Sequence, residues 1–455
     1  MGHPESAALF LRDTERVHWH DQAIWFLRQK RDAAARTVPD WEALRERAEA
    51  IKAHALSRLG DYLEEFERNA VAHGAVVHWA RDGEEHNRIV HGLLAERGVT
   101  RLVKSKSMLT EECGLNPYLE ARGIEIADTD LGERIVQLNH QPPSHIVAPA
   151  IHMRREEVGA LFHATLGSPE GLTDPTRLTE VARKDLRRHF LGAQAGLTGV
   201  NFGIAETGGV VVVTNEGNAD MGTSLPPLHI ASMGIEKVIP RAADLGVFLR
   251  LLARSAVGQP SSIYTSHFHG PRRGGELHIV VVDNGRSQLL GQPAHRRALA
   301  CIRCGQCLNT CPVYRRSGGY SYTWLIPGPI GSVLAPARDP VSHRSLPFAS
   351  TLCGSCTDVC PVRIDLHHQL YAWRGELARK GLIDPGKRLA MRLTSLVFRF
   401  TWLYALAGRL ARLAQRLLPA RFLARLSGGW TRQRELPVPP RESFRELYRR
   451  TRGRP

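Results

Sequence analysis

Seven of the eight cysteines in this 455-residue chain fall between positions 301 and 360. They form two groups. The first reads Cys301-Ile-Arg-Cys304-Gly-Gln-Cys307-Leu-Asn-Thr-Cys311-Pro312, the second Cys353-Gly-Ser-Cys356-Thr-Asp-Val-Cys360-Pro361. Thiols spaced this closely constrain the fold more than any apolar pattern, because the segment must wrap whatever they hold. Thiolates are soft ligands suited to iron–sulfur chemistry. The second group is one short. The spacing of the first, carried back from Cys353, calls for a cysteine at 350 and finds Ser350.

The first group is the C-x2-C-x2-C-x3-C-P run of two-cluster bacterial ferredoxins, in which the fourth cysteine serves the other cluster. The crossed scheme assigns Cys301, Cys304, Cys307 and Cys360 to one cluster, and Cys311, Cys353 and Cys356 to the other. The second is then either a [4Fe-4S] cluster with a non-cysteine ligand or a [3Fe-4S] cluster, and spacing leaves both open. A structural zinc site wants four ligands. It explains neither the third cysteine of each run nor the prolines. A disulfide framework belongs to short secreted chains. Cys113, alone in Thr-Glu-Glu-Cys-Gly, reads as an ordinary packed thiol.

The chain is long enough for two to four domains. Residues 1–20 contain no apolar signal segment, and Leu393 to Ala407 is too short to span a bilayer. The expected location is cytoplasmic. The formal charge is +16, and residues 386–455 carry 17 Lys and Arg against 3 Glu. A basic chain suggests nucleic acid as partner. Here the charge sits on a leucine-rich helical tail beside a redox module, so nucleic acid is not expected. Arg388, Arg392, Arg409, Arg412 and Arg416 recur at helical steps among Leu, Phe and Trp. Either this face packs on the protein's own core, or it is a peripheral contact at the inner membrane face.

Four regions follow. Residues 1–70 read as helical, with an N-cap at Asp40. Residues 71–292 alternate short apolar runs with helical stretches, which argues for an α/β domain with a mainly parallel sheet. Strands are expected at 75–79, 100–103, 124–126, 145–148, on both sides of Glu206-Thr-Gly-Gly209, at 237–239 and at 277–283. Helices are expected at 84–98, 110–122 and 178–191. Residues 293–366 form the cysteine module. Its internal stretch Ser317 to Gly331 is long for a loop and is expected to wall the thiols from water. Residues 367–455 are helical and Arg-rich, with partial disorder expected from Pro437.

Within the α/β region, Glu206 at a strand end is a candidate catalytic carboxylate, or simply a polar strand-end residue. The loop His267 to Gly275, with Arg272 and Arg273, reads as an anion-binding loop or as an exposed basic one. The turns Asn215-Glu216-Gly217-Asn218 and Asp283-Asn284-Gly285-Arg286 are ligand-facing or merely turns. Neither a P-loop nor a dinucleotide fingerprint is present.

Several stretches together resemble the lactate-utilisation protein B family, the iron–sulfur subunits of a three-part bacterial L-lactate-oxidising system. They are Lys104 to Glu112, Asp128 to Glu133, Gly199 to Gly217, Asp283 to Arg286, Cys301 to Tyr314, Pro327 to Gly331 and Leu352 to Asp365. The resemblance implies an α/β domain of the NagB/RpiA/CoA-transferase-like kind, an α-helical ferredoxin-like module and a helical C-terminal domain. It implies two [4Fe-4S] clusters with the cysteine partition given above, three cysteines on the second. It implies a non-catalytic electron carrier in the oxidation of L-lactate to pyruvate, working with the other subunits and an electron acceptor. Two rival readings stay open. In one, the α/β domain is itself catalytic and the clusters are accessory. In the other, the chain serves a different hydroxy-acid, glycerol-3-phosphate or heterodisulfide redox complex.

Overall fold

The computed structural model describes residues 2–426, 431 and 435–452. They divide into two compact units, Met1–Leu377 and Ala378–Pro455.

The first unit is built on ten strands: β1 (Val76–Ala80), β2 (Arg101–Lys104), β3 (Glu125–Asp128), β4 (Ala195–Gly199), β5 (Phe202–Ile204), β6 (Gly209–Thr214), β7 (Leu228–Gly234), β8 (Val238–Ile239), β9 (Tyr264–Phe268) and β10 (Glu276–Val282). Six form a sheet in the order β1-β10-β7-β4-β2-β3. Every pairing in it is parallel. Parallel strands need helical crossovers, which cover both faces and make the central strands apolar throughout. β10 obeys this. Val280 and Val282 enter the core on one face with Val90, Leu94, Leu115 and Leu119. Leu277, Ile279 and Val281 enter the core on the other, with Leu63 and Phe66. A smaller sheet, β8-β5-β6-β9, carries the expected hairpin around Glu206.

Two expectations are corrected. Residues 145–148 form no strand. The His145 Nδ1 accepts the Val147 and Ala148 N–H groups at 3.0 and 3.1 Å, and its Nε2 bonds Asn309 Oδ1 at 2.9 Å. The local backbone donors are thereby satisfied by a side chain rather than a ladder. The expected helix over 110–122 is two, Met108–Glu112 and Leu115–Glu120, separated by Gly114 in the left-handed region at φ 65°.

The N-terminal helices Thr14–Arg36 and Trp41–Ser57 sit between the α/β part and the cysteine module. Ile24, Trp41 and Leu44 share one apolar core with Phe202 and Phe248 on one side and with Leu308, Tyr314 and Trp373 on the other. The Ser317 to Gly331 stretch is folded into this core, with Tyr322, Ile326 and Ile330 fully enclosed. The helix Leu366–Arg379 buries Trp373 and Leu377, and Trp373 donates to the Val333 carbonyl at 3.0 Å.

The second unit contains helices Pro385–Arg399, Thr401–Leu417 and Phe444–Arg452, none with a buried residue. The last lies within the stretch after Pro437, where partial disorder is expected. Phe398, Trp402 and Leu417 are 68%, 64% and 71% exposed. Among the described residues, no helix is long and apolar enough to cross a membrane.

Candidate functional site

The two cysteine groups fold alike. In each, a residue with left-handed backbone precedes a cysteine that a left-handed glycine follows. These are Arg303 (φ 61°) and Gly305 (φ 73°) about Cys304, and Leu352 (φ 56°) and Gly354 (φ 82°) about Cys353. A short helix follows each glycine, Gln306–Thr310 and Ser355–Asp358. Such alternation turns successive N–H groups inward as a nest for anionic atoms, a device common at iron–sulfur sites. The Arg303 N–H lies 3.4 Å from Cys301 Sγ. After each last cysteine the proline turns the chain, so that the Val313 and Tyr314 N–H groups approach Cys311 and the Val362 and Ile364 N–H groups approach Cys360.

After burial, Cys304 is raised by Cys360 and Cys301, and Cys356 by Cys311 and Cys353. Cys307 feels Cys301 and Cys304, and beyond them Cys356, so it stands where the sets meet. Burial pushes the Cys356 thiol up to about 12 and the Cys360 thiol to about 11, and it raises Cys304 and Cys307 strongly. Buried thiols held this high become thiolates only against compensating positive charge, as bound iron supplies. Among the described residues, no group of three or more His, Cys, Asp or Glu side chains is drawn together as a bound metal ion would hold them. The donor set, the nests and the burial fit iron–sulfur clusters.

Residues the sequence did not single out brace these loops. Arg45 donates to the Cys360 carbonyl at 3.1 Å and to the Asp358 carbonyl at 2.5 Å, and Arg31 to the Val359 carbonyl at 3.1 Å. They lie some 300 positions away in the chain, on amphipathic helices, where an arginine ordinarily reads as surface charge.

A cavity of about 290 Å³ lies against the first loop. Separate stretches converge on it: Lys106 and Glu112 after β2, Asp130 after β3, Asn201 before β5 and Val212 to Glu216 at the far end of β6, and Arg286 after β10. Ile302 and Arg303 of the cysteine loop close one side. The crevice beyond the carboxyl ends of the strands is where open parallel sheets bind their ligands. On its wall, Arg286 pairs with Glu236 at 2.6 Å and with Glu112 at 2.9 Å, and Arg303 reaches Glu112 at 3.3 Å. Burial raises Glu236, but Arg286, then Lys237 and Arg303, hold it down to about 2. Glu216 behaves oppositely. Burial, then Asp130, pushes it up to about 7. Glu216 lines the cavity and keeps accessible surface.

The other sequence candidates fall elsewhere. Glu206 is not in this cavity. It is exposed, and its carboxylate accepts the Ala242 N–H at 2.8 Å at the start of helix Ala242–Val257. That is a capping role set by the hairpin's position beside the helix. The His267 to Gly275 loop is exposed, with Arg272 bonded to the Leu225 and Pro226 carbonyls. Both polar turns, by contrast, supply wall residues: Glu216 and Asn218 from one, Arg286 from the other. Cys113 is packed against Gly83, and burial raises its thiol to about 12. Lys104 is fully buried, paired with Asp128 at 2.9 Å and with Glu111. It anchors the floor of the strand ends.

Three family models match successive parts of the chain. Residues 63–287 match the LUD domain, 297–364 the 4Fe-4S dicluster domain, and 378–453 the C-terminal domain of lactate utilisation protein B. Lactate utilization protein B of Geobacillus sp. (strain WCH70) is 42% identical over 93% of this chain and 91% of its own. Its namesake from Bacillus pumilus (strain SAFR-032) is 40% identical over 93% and 92%. A crystal structure of a DUF162 family protein from Deinococcus radiodurans covers 49% of this chain and 98% of its own at 15% identity, with a TM-score of 0.27, too slight an overlap to carry over. Over nearly its whole length, then, this chain belongs to the lactate utilisation protein B family.

Proposed function

We propose that this protein carries electrons in the oxidation of L-lactate to pyruvate, through two iron–sulfur clusters held by Cys301, Cys304, Cys307 and Cys360 and by Cys311, Cys353 and Cys356. The observation that supports it is the meeting of the two crossed thiol sets at Cys307. Clusters so held supply one-electron transfer over a short distance. The chain's own part is to exclude water with Tyr314, Tyr322 and Ile330, and to offer N–H groups to sulfur. Its partners are the other subunits of the lactate system and an acceptor. Iron and acid-labile sulfide analysis of anaerobically purified protein tests this, with about eight irons expected per chain. About four or fewer would sink the two-cluster reading. Undiminished growth of a deletion strain on L-lactate would sink the lactate assignment.

A second reading, that the α/β domain binds or transforms the substrate itself, is favoured by the cavity and its contact with the Arg303 loop. Lys237 and Lys106 line it, and burial raises Glu216 to about 7. These residues suit a small carboxylate. If they serve it, Glu216→Gln lowers lactate turnover by the whole system at least tenfold while iron content stays constant. Unchanged turnover counts against it.

The basic second unit, with Phe398, Trp402 and Leu417 uncovered, is read as a contact for an anionic membrane surface. Full-length protein is expected to sediment with vesicles containing phosphatidylserine and to detach in high salt. Equal sedimentation with neutral vesicles would remove the electrostatic part of this reading.

A further inference from the structure

We propose that Ser350 Oγ is the fourth protein ligand of the second cluster, completing the set of Cys311, Cys353 and Cys356. This rests on the two-cluster reading above. The case is the internal repeat. Ser350 stands three residues before Cys353, as Cys301 stands three before Cys304. Between each pair lies one non-glycine residue in the left-handed region, Arg303 at φ 61° and Leu352 at φ 56°. Such a backbone costs roughly 1–3 kcal/mol for a residue with a Cβ and persists where its surroundings demand it. Its recurrence at the same step of both loops means that both loops are shaped for the same task.

The repeat extends to the ligand atom. The Arg303 N–H points at Cys301 Sγ from 3.4 Å, and the Leu352 N–H points at Ser350 Oγ from 3.1 Å. The nest that would steady the thiolate in the first loop steadies a serine oxygen in the second. The shorter distance is what oxygen in place of sulfur requires. The segment is also fixed from behind. Arg374 donates from Nη2 to the Ser350 carbonyl at 2.7 Å and from Nε to the Pro347 carbonyl at 2.9 Å, and its guanidinium covers the Phe348 ring. Ser350 is half-buried, so its hydroxyl is not simply a solvated surface group.

Ligation needs no redox partner. With a cluster bound, Ser350 Oγ would supply the fourth protein ligand at the corner that Cys311, Cys353 and Cys356 leave uncovered, displacing water there and giving its hydroxyl proton to solvent. The Leu352 N–H would stabilise the resulting alkoxide.

The test uses the full-length chain, purified anaerobically, with iron quantified and the reduced protein examined by 17O ENDOR in labelled water. At about eight irons per chain, the native protein is expected to show no exchangeable 17O coupling. Ser350→Ala is expected to acquire one and to lose iron severalfold faster to the three-iron form on oxidation. Ser350→Cys, which restores a full thiolate set, is expected to show no coupling and to resist that loss. If Ser350→Ala does not fold, the altered EPR spectrum of Ser350→Cys carries the test. Water coupling in the native protein at about eight irons overturns the serine assignment alone, as do identical spectra from the native and Ser350→Cys proteins. About four irons overturns the two-cluster reading and this assignment with it.

Discussion

The two cysteine loops share a backbone and differ in what surrounds it. The first faces inward, where Arg303 and Cys301 adjoin the Arg286, Glu236 and Glu112 network and the cavity beyond the sheet. The second faces outward, with Cys353 exposed and Ser350 at the register of Cys301. Local geometry is thus set by spacing, left-handed glycines and Cys-Pro turns, whereas the surroundings give the pair a direction. One end adjoins a cavity lined by charged residues and the other adjoins solvent.

The largest expected effect comes from removing one thiol on each side. Cys304→Ala deletes a buried thiol at the inner end, and Cys353→Ala deletes an exposed one. Cluster binding to buried thiols is also folding energy. The inner variant is therefore expected to lose half its iron and much of its soluble yield. The outer variant is expected to lose iron mainly from the second cluster and to stay folded by circular dichroism. Equal loss of fold in both would break the contrast between a structural inner loop and an accessible outer one.

Next is the network behind the inner loop. Arg286 is buried between Glu236 and Glu112. Arg286→Met removes the nearest cation from two buried carboxylates and leaves them to Arg303 and Lys237, a change expected to cost up to about 3–5 kcal/mol. Urea unfolding should show it as a fall in midpoint. The pH dependence has a definite sign. Glu236 is depressed to about 2 from an ordinary 4.5, so its contribution is complete above the ordinary value and lost as pH falls through about 2. In Arg286→Met that acid limb moves to higher pH. A variant as stable as the native protein would show the network to be dispensable to the inner loop.

Part of this architecture is legible in the amino-acid sequence. β6 and β10 carry the apolar runs Gly209 to Val213 and Ile279 to Val282, and they read as buried strands. The proposed cysteine partition rests on spacing that the sequence displays directly. β4 and β7 do not announce themselves, though both are central. β4 is Ala-Gly-Leu-Thr-Gly, and β7 carries His229 and Ser232. Their polar groups are satisfied inside, Thr198 Oγ1 by His229 at 2.8 Å and Ser232 Oγ by His86 at 2.9 Å, and pairing of that kind is invisible in one strand's composition. The cavity is half legible. Its wall residues stand out as separate turns, but only the sheet order brings β2, β4, β7 and β10 side by side. Glu206 misleads because a carboxylate at a strand end looks the same whether it meets a ligand or caps a neighbouring helix.

The smallest expected effect tests whether the cavity end is electrostatically prepared. Glu216 sits in the cavity with its carboxyl raised from 4.5 to about 7 by burial and by Asp130. The folded protein then keeps a proton that the unfolded chain releases, so stability falls as pH rises from about 4.5 to about 7 and is level beyond that. Because the side chain retains accessible surface, solvent screening reduces the swing to roughly 1 kcal/mol. Glu216→Gln should flatten the stability profile across that window and leave the variant about 1 kcal/mol more stable than the native protein at pH 8. Asp130→Asn should move the native inflection toward lower pH without abolishing it. The outer loop lies outside this cavity, so Ser350→Ala should leave the inflection where it is. If Glu216→Gln keeps the native slope, the proton resides on another group and the cavity's carboxylates are ionised together.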